Sequence, residues 1–295
     1  VRVTGFPFHI EAVVTAPAIA AFAGARPWSW RGPALTVRTR PWRPSRMRVT
    51  APGRHWIAAA MAGGAGEFTI DVRELALKLR LPGGRLARAS LSVRGVDVTD
   101  GAGGRVGGLA AAAVIVDRPG KRAPEGKGPP PAMDLLVEAD DVQLPKEPAP
   151  GLGARTAKLG LRASVTATLP EAASADALAE WRDAGGTVEV RALGLRHGPL
   201  QVDGDGTLAL DDAMQPIGAF TFRLRGFPEA IDALRRAGAV EPQSAELAKA
   251  VLGALAAKEG GDGAAATLKL PVSIQNRRLY IGPVALARLP AVRWK

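Results

Sequence analysis

Hydrophobic and polar residues alternate with a period of two along most of the chain. The segment 159–169 places Leu, Ala and Val at odd positions and Gly, Arg, Ser and Thr at even positions. Segments 6–14, 75–81, 200–210 and 268–274 alternate in the same way. One apolar face and one polar face are typical of antiparallel strands that are covered on one side. The pattern therefore predicts a mainly β protein with long antiparallel strands.

The alternation changes phase within the segment 86–98. The apolar positions are odd before Gly95, at Leu91 and Val93, and even after it, at Val96. Glycine at such a change of phase is typical of a β-bulge, because an extra residue reverses the faces of a strand. The sequence predicts a bulge at this position.

Helical signals are confined to the second half of the chain, near 174–184, 228–237 and 241–259. Ser174 is a suitable N-cap for the first of these segments. The second begins with Pro-Glu and ends at Gly238, which matches the preference for proline in the first turn and glycine after the last. We therefore expect a few helices inserted among the C-terminal strands.

Two loose segments interrupt the pattern. Residues 117–132 are rich in Pro, Gly and Lys and predict a mobile loop, since nothing in them can pack. A second break, PKEPAPG, covers 145–151. We therefore predict a division near residue 150, into a β-rich half 1–150 and a β-rich half 151–295 that carries the helices.

Composition removes several classes of chemistry. The 295 residues are 47% hydrophobic, so the chain can bury a substantial core. It has no cysteine, which excludes disulfides, thiol catalysis and zinc sites built from cysteine. No apolar run reaches the roughly 18 residues needed to cross a bilayer. The chain starts at Val1, and we expect that an N-terminal segment has been removed from it.

The positive charge is concentrated near the N-terminus. The net charge of +11 comes from 39 Lys and Arg against 28 Asp and Glu, and residues 1–100 hold 15 of the former but only 6 of the latter. No acidic residue lies between Glu11 and Glu67, where eight arginines and four tryptophans occur. Three interpretations remain open: an anionic membrane surface, a nucleic acid, or a solvated strand face with Trp packed under Arg stems. The candidate membrane-surface residues are Trp28, Trp30, Arg38, Arg40, Trp42 and Arg43.

Sequence motifs for catalysis are missing. There is no HExxH and no GxSxG, and the segment 120–127 has the wrong spacing for a phosphate-binding loop. The dinucleotide-like Gly204-Asp-Gly206 lies inside an alternating strand. The histidines His9, His55 and His197 lie in different segments without ligand spacing. We therefore predict that the protein is not an enzyme and uses no cofactor and no metal.

The apolar strand faces need a cover, and they can close a barrel, stack as a sandwich or line a groove. Aromatic residues are only 5% of the chain, so these faces are mostly Leu, Val, Ala and Ile. An aliphatic surface suits acyl chains as well as it suits a closed core, and composition does not choose between them. The candidate lipid-binding residues are Phe6, Phe8, Ile10, Leu75, Leu77, Leu79, Leu161 and Val165.

Short motifs at both ends of the chain resemble a known family. They are Gly5-Phe6-Pro7-Phe8 before an alternating strand, GDGTLALDD at 204–212, and LKLPVSIQNRRLYIGPVALARLP at 268–290. The chain resembles domain-of-unknown-function family 2125, a group of alphaproteobacterial envelope proteins distantly similar to AsmA-like proteins. The resemblance implies a periplasmic protein tethered to the inner membrane through a segment absent from this chain. It also implies a curved, U-shaped open sheet or groove that holds lipid.

The leading hypothesis is a non-enzymatic cell-envelope protein that shelters or transfers phospholipid or another envelope lipid in an apolar β-sheet groove. The basic Arg/Trp-rich region then faces the anionic membrane. The alternative is a periplasmic scaffold or assembly factor with a solid β core and envelope protein partners. A periplasmic location makes nucleic-acid binding incidental, so we predict no nucleic-acid partner.

Overall fold

The computed structural model describes residues 1–21, 27–61, 64–119, 131–167, 174–257 and 267–294. Most of the loop predicted over 117–132 lies outside these ranges. The described residues are mainly antiparallel β-strands, and their three α-helices all lie in the second half of the chain. The predicted fold class, an open antiparallel sheet with C-terminal helices, is confirmed at this level.

The chain divides into two compact units. Unit 1 contains Val1–Asp117 and Val137–Lys146, and unit 2 contains Arg118–Leu136 and Glu147–Lys295. The strands that lie wholly in unit 1 are β1 (Arg2–Thr4), β2 (Ile10–Val14), β3 (Ala18–Ala21), β4 (Trp28–Arg31), β5 (Leu35–Arg40), β6 (Arg43–Thr50), β7 (Gly53–Met61), β8 (Gly64–Arg80), β9 (Arg88–Asp100) and β10 (Arg105–Asp117). Strand β11 (Pro131–Gln143) contributes to both units.

The sheet of unit 1 forks at its longest strand, β8. One edge of β8 pairs with β9 along nearly its whole length, and β9 pairs with β10. On the other edge, residues 64–72 pair with β7, which continues to β4 and β3. Residues 76–80 pair instead with β6, which continues to β5, β2 and β1. Two branches of the sheet therefore share one strand.

The change of phase at Gly95 coincides with this fork. Gly95 has a φ of +58°, a left-handed conformation that glycine tolerates best, and the β8–β9 ladder skips its pair with Arg73. Arg73 and Glu74 are both exposed, so the alternation in β8 shifts by one residue there. The register is the same on both sides of the gap. The predicted irregularity is therefore present, but it affects both strands and is not an extra residue in one of them.

The predicted strand over 6–14 is shorter than its pattern indicates. Strand β2 begins at Ile10, and Phe6 and Phe8 lie in the turn before it. The His9 amide donates to the Gly5 carbonyl at 3.0 Å, which closes this turn, while Pro7 has no amide hydrogen for a ladder. The prediction that Phe6 and Phe8 share the strand face of Ile10 is therefore wrong.

Unit 2 contains an antiparallel meander. Its strands are β12 (Arg155–Thr166), β13 (Val188–His197), β14 (Leu200–Leu210), β15 (Pro216–Arg225), β16 (Leu268–Gln275), β17 (Arg278–Ile281) and β18 (Val284–Arg288), each paired with the next. The glycines of the dinucleotide-like motif lie in β14, opposite two phenylalanines of β15. Gly204 faces Phe222 and Gly206 faces Phe220. A Cβ at Gly204 would lie 2.5 Å from the Phe222 ring, so these glycines make room for aromatic rings.

Three helices pack within unit 2: α1 (Ala175–Asp183), α2 (Phe227–Arg236) and α3 (Pro242–Ala257). All three predicted helices are therefore confirmed, with boundaries shifted by one or two residues. The Ser174 hydroxyl accepts a hydrogen bond from the Ala177 amide at 3.3 Å, as its predicted N-cap role requires. None of the described helices combines the length and the hydrophobicity that crossing a membrane requires.

The helices cover one end of the apolar face of unit 2. Phe227 of α2, Ala256 of α3 and Leu268 of β16 form a buried cluster, against which Leu224 and Leu252 pack. An ion pair joins the same two helices, with Lys249 Nζ 2.6 Å from Asp232 Oδ1. The contact with the Lys249 ammonium lowers the pKa of Asp232, and the contact with Asp232 raises the pKa of Lys249.

Candidate cationic face

The polar face of unit 1 carries cations at alternate positions of three neighbouring strands. They are Arg38 and Arg40 in β5, Arg46 and Arg48 in β6, and Lys78 and Arg80 in β8. All six are exposed, whereas the residues next to them in the strands, such as Val37, Met47 and Leu79, are half-buried. The period of a strand therefore sorts the cations onto one face and the apolar side chains onto the other.

Strand register places like charges directly opposite one another. Arg38 lies opposite Arg48, and Arg48 lies opposite Lys78. In a second row, Arg46 lies opposite Arg80, and Arg80 lies opposite Arg88. Residues in such positions have Cα atoms only about 4.5–5.5 Å apart.

Each row has a carboxylate at one end. Glu11 lies opposite Arg38 and forms an ion pair with it. Asp117 lies opposite Arg88, and the Arg88 Nη1 atom is 2.8 Å from the Asp117 Oδ2 atom. The carboxylates thus pair with the outermost arginines of the rows.

Four cations remain between these two pairs: Arg46, Arg48, Lys78 and Arg80, here called the cationic quartet. Within the described ranges, no ion pair joins any of the four to a carboxylate. They occupy two neighbouring strands and two adjacent rows. The quartet is therefore a two-by-two block of positive charge without internal compensation.

The quartet lines an open cavity of about 770 Å³ on this face. Arg38, Arg40, Arg43 and Arg88 also line it, together with Phe8 and His9 from the turn before β2. A second cavity of about 560 Å³ shares Arg48, and its lining includes Arg73, Arg94 and the acidic Glu74. The first cavity is therefore the recess of the cationic face in which a small anionic group fits.

Three aromatic side chains are exposed near this cavity. Phe8, which lines it, is 75% exposed, and Phe6 in the same turn is 81% exposed. Trp42 is 59% exposed and lies in the β5–β6 turn, between the directly opposed Arg40 and Arg43. Exposed aromatic rings beside cations are a combination suited to a membrane–water interface.

The structure divides the predicted membrane-surface residues between the two branches of the fork. Arg38, Arg40, Trp42 and Arg43 lie together on the β5–β6 branch. Trp28 and Trp30 lie in β4, on the other branch. The Trp30 indole donates to His55 Nδ1 at 3.3 Å and stacks on the ring at a centroid distance of 5.9 Å, so Trp30 packs inside its branch.

The predicted lipid-binding residues occupy several places. Ile10, Leu75, Leu77 and Leu79 lie on the apolar face of unit 1, on the side of β8 opposite to Lys78 and Arg80. Phe6 and Phe8 lie in the exposed turn, and Leu161 and Val165 lie in β12 of unit 2. The apolar face includes an unbroken row across six strands, in which none of the side chains is buried: Ala12, Val37, Val49, Leu77, Leu91 and Val114.

Two of the histidines, His55 and His197, are buried and form structural contacts. His55 is buried, and its Nε2 lies 3.0 Å from the Ala51 carbonyl oxygen, while His197 Nδ1 lies 2.9 Å from Thr156 Oγ1. Across the described ranges, no three His, Asp or Glu side chains are grouped closely enough to hold a metal ion.

The cationic quartet was not identified from the sequence. Arg46 and Arg48 belong to the acid-free stretch, but Lys78 and Arg80 come from a separate segment. The signal that could have found them is the repeated spacing of two residues between cations in three strands.

Fold and site together define a β-rich protein whose open antiparallel sheet presents a cationic face in unit 1 and an aliphatic face on the other side of the same strands. The model of one protein family, described as "Uncharacterized protein conserved in bacteria (DUF2125)", matches residues 1–290. The chain therefore belongs to this family, as its motifs predicted. No curated protein and no solved structure matches the chain.

Proposed function

We propose that this protein is a non-enzymatic component of the bacterial cell envelope that shelters or transfers lipid on its apolar sheet face. The observation that carries the proposal is the six-strand aliphatic row of unit 1, in which no side chain is buried. All six side chains are half-buried, and a continuous apolar surface that is only partly covered is a candidate interaction site.

The chemistry of the row favours acyl chains as its occupant. Its members are Ala, Val and Leu, whose side chains have no hydrogen-bonding groups that a polar or peptide ligand would need. The neighbouring row adds Ile10, Met47 and Leu79, with Thr39 between Ile10 and Met47. A linear acyl chain gains its affinity from burial alone, at roughly 0.8 kcal/mol per CH₂ group.

The cationic face completes the proposal. It presents positive charge and exposed aromatic rings to an anionic membrane, while the apolar face receives the lipid. The proposal includes a periplasmic location and attachment to the inner membrane. We also propose that the protein is distantly similar to AsmA-like proteins.

The test is to purify the protein from a bacterial host, extract it with organic solvent and measure phospholipid by mass spectrometry. We expect near-stoichiometric phospholipid in the native protein. The double variant Leu77→Gln/Leu91→Gln changes two directly opposed residues of the aliphatic row and should lose most of it.

The matched control changes the adjacent pair of the same strands on the other face, Ala76→Gln/Ser92→Gln. It should retain its lipid. Equal lipid in the two double variants, or a native protein without lipid, would contradict the proposal. Stable envelope protein partners in place of lipid would favour the scaffold alternative.

A further inference from the structure

The cationic quartet lowers the stability of the sheet, and the fold does not require these charges. Like charges directly opposite each other in antiparallel strands destabilise a sheet. Arg48 faces Lys78 and Arg46 faces Arg80 in this way, and the described carboxylates of the two rows pair with Arg38 and Arg88 instead. A solvated face without a ligand gains nothing from this arrangement.

Like charges also face each other elsewhere, but as single pairs: Lys158 lies opposite Arg196, Arg223 opposite Lys269, and Arg278 opposite Arg288. In unit 2, Arg223 lies opposite Asp203 and 3.4 Å from Asp205, while Arg225 lies 3.9 Å from Asp203. In unit 1, outside the quartet, Arg54 pairs with Asp71 and Arg105 with Asp97. The quartet differs from these surfaces because two like-charge pairs lie side by side in it and, within the described ranges, none of its four cations forms an ion pair with a carboxylate.

We propose that the cationic quartet is a binding site for a ligand that carries two phosphate groups on one small headgroup. The four Cα positions form a block about 5 Å wide between strands and about 7 Å long along them. One phosphodiester carries a single negative charge and can sit in only one of the two rows, whereas two neighbouring phosphates place an anion in each row of the block. Arginine guanidinium groups bind phosphate oxygens in pairs, and Lys78 adds a point charge.

The ligand has two possible sources, a bisphosphorylated lipid headgroup or a soluble bisphosphate. Phe8, which lines the cavity, and Trp42, which lies in the turn between the lining residues Arg40 and Arg43, have exposed rings that favour the lipid, because a soluble bisphosphate offers no apolar phase for them to enter. The site is separate from the aliphatic row, since Leu77 and Lys78 project to opposite faces of β8. Phosphate binding at the quartet is therefore tested separately from acyl-chain binding at the aliphatic row.

The experiment compares vesicles of equal surface charge. One set contains phosphatidylcholine with cardiolipin, whose headgroup carries two phosphates, and the other contains twice the mole fraction of phosphatidylglycerol, with one phosphate per headgroup. A third arm measures binding of soluble 1,3-bisphosphoglycerol, with glycerol 1-phosphate as its monophosphate control. We expect roughly tenfold tighter binding to the cardiolipin vesicles.

The diagnostic variant is Arg48→Gln/Lys78→Gln, and the matched control is Arg54→Gln/Arg105→Gln. Both remove two positive charges from unit 1, but the control removes cations that already have carboxylate partners. The quartet variant should lose the preference for cardiolipin, and the control should keep it. Thermal unfolding without ligand checks the fold, and the quartet variant should not be less stable than the control.

Three results would overturn the inference: no preference for two phosphates in either the vesicle arms or the soluble arm, equal losses in the two variants, or tighter binding to single-stranded DNA than to any bisphosphate. Equal losses would mean that only net charge matters. Binding of soluble bisphosphate without preference for cardiolipin vesicles would support the site and identify its ligand as a soluble compound. Lipid retention by the Leu77→Gln/Leu91→Gln variant tests the proposed function separately.

Discussion

Two pairs of neighbouring strands, β14–β15 in unit 2 and β6–β8 in unit 1, use the same strand pattern for opposite purposes. In unit 2, Asp203 and Asp205 of β14 accompany Arg223 and Arg225 of β15, so the charges of neighbouring strands compensate each other. In unit 1, β6 and β8 both present cations in corresponding positions. Alternation fixes which residues reach the surface, but the choice of partner across the strands decides whether the surface is neutral or attracts anions.

The apolar faces differ in a parallel way. In unit 2, helices α2 and α3 cover Leu268 and its neighbours, and Leu268 is only 3% exposed. In unit 1, the described buried hydrophobic side chains are Ala51, Val72 and Ala139, none of which belongs to the aliphatic row. A face that is covered stabilises the fold, whereas a face that stays open is available to a ligand.

The largest expected change in the free energy of unfolding comes from replacing one leucine in each unit. Leu268→Ala should lower the free energy of unfolding by about 2–5 kcal/mol, because it leaves a cavity in a covered core. Leu77→Ala should cost at most about half as much, since its side chain is only half-buried. Urea unfolding of lipid-free protein, followed by circular dichroism, measures both values. Equal costs would show that the aliphatic row is packed as tightly as the helix-covered core.

Reversing one charge in each unit tests the charge comparison. The change in the free energy of unfolding should be smaller than for the leucine variants and opposite in sign in the two units. Lys78→Glu gives Arg48 an opposite charge across the strands, so it should raise the free energy of unfolding by roughly 0.2–1 kcal/mol. Asp203→Lys creates a like-charge pair with Arg223 and should lower it by a similar amount. Both are measured at low salt, where surface charges are least screened. A loss of stability in both variants would contradict the argument about the quartet.

The smallest effect concerns pH and belongs to unit 2. Asp232 has a pKa below its ordinary value of 3.8, so its ion pair contributes fully above that pH and is lost as the pH falls through the folded-state pKa. Lys249 has a pKa above 10.5, so its contribution is complete below that pH and is lost as the pH rises through its own folded-state pKa. The pair Asp232→Asn and Lys249→Met should flatten both limbs of a stability profile against pH. An unchanged profile would show that the α2–α3 contact does not depend on this pair.

Local sequence signals predicted the elements well. The alternation over 200–210 coincides with β14, and Ser174 and Gly238 lie at the ends of α1 and α2 as cap preferences indicate. The fork of β8 could not be predicted, because it depends on β6 and β7 both returning to one strand. Within 6–14, the alternation was overruled by Gly5 and Pro7, which make a turn.

The candidate site was predicted only in part for a related reason. The acid-free stretch identified Arg38, Arg40, Trp42 and Arg43, which do lie together, but it also selected Trp30, whose indole is bound to His55. Lys78 joins Arg48 only through the β6–β8 register. Composition along the chain identifies a charged region, but only the strand pairing shows which charges face each other.

The fork in unit 1 also affects how much unpaired strand edge the sheet exposes to aggregation. Each additional branch creates another terminal strand whose free amides and carbonyls can recruit a second chain and start aggregation. In the described pairing, the two branches end in β1, with three residues, and β3, with four. Strands this short offer little backbone for intermolecular pairing. The protein can therefore keep a wide and partly apolar sheet open with limited exposure to self-association along these branch edges.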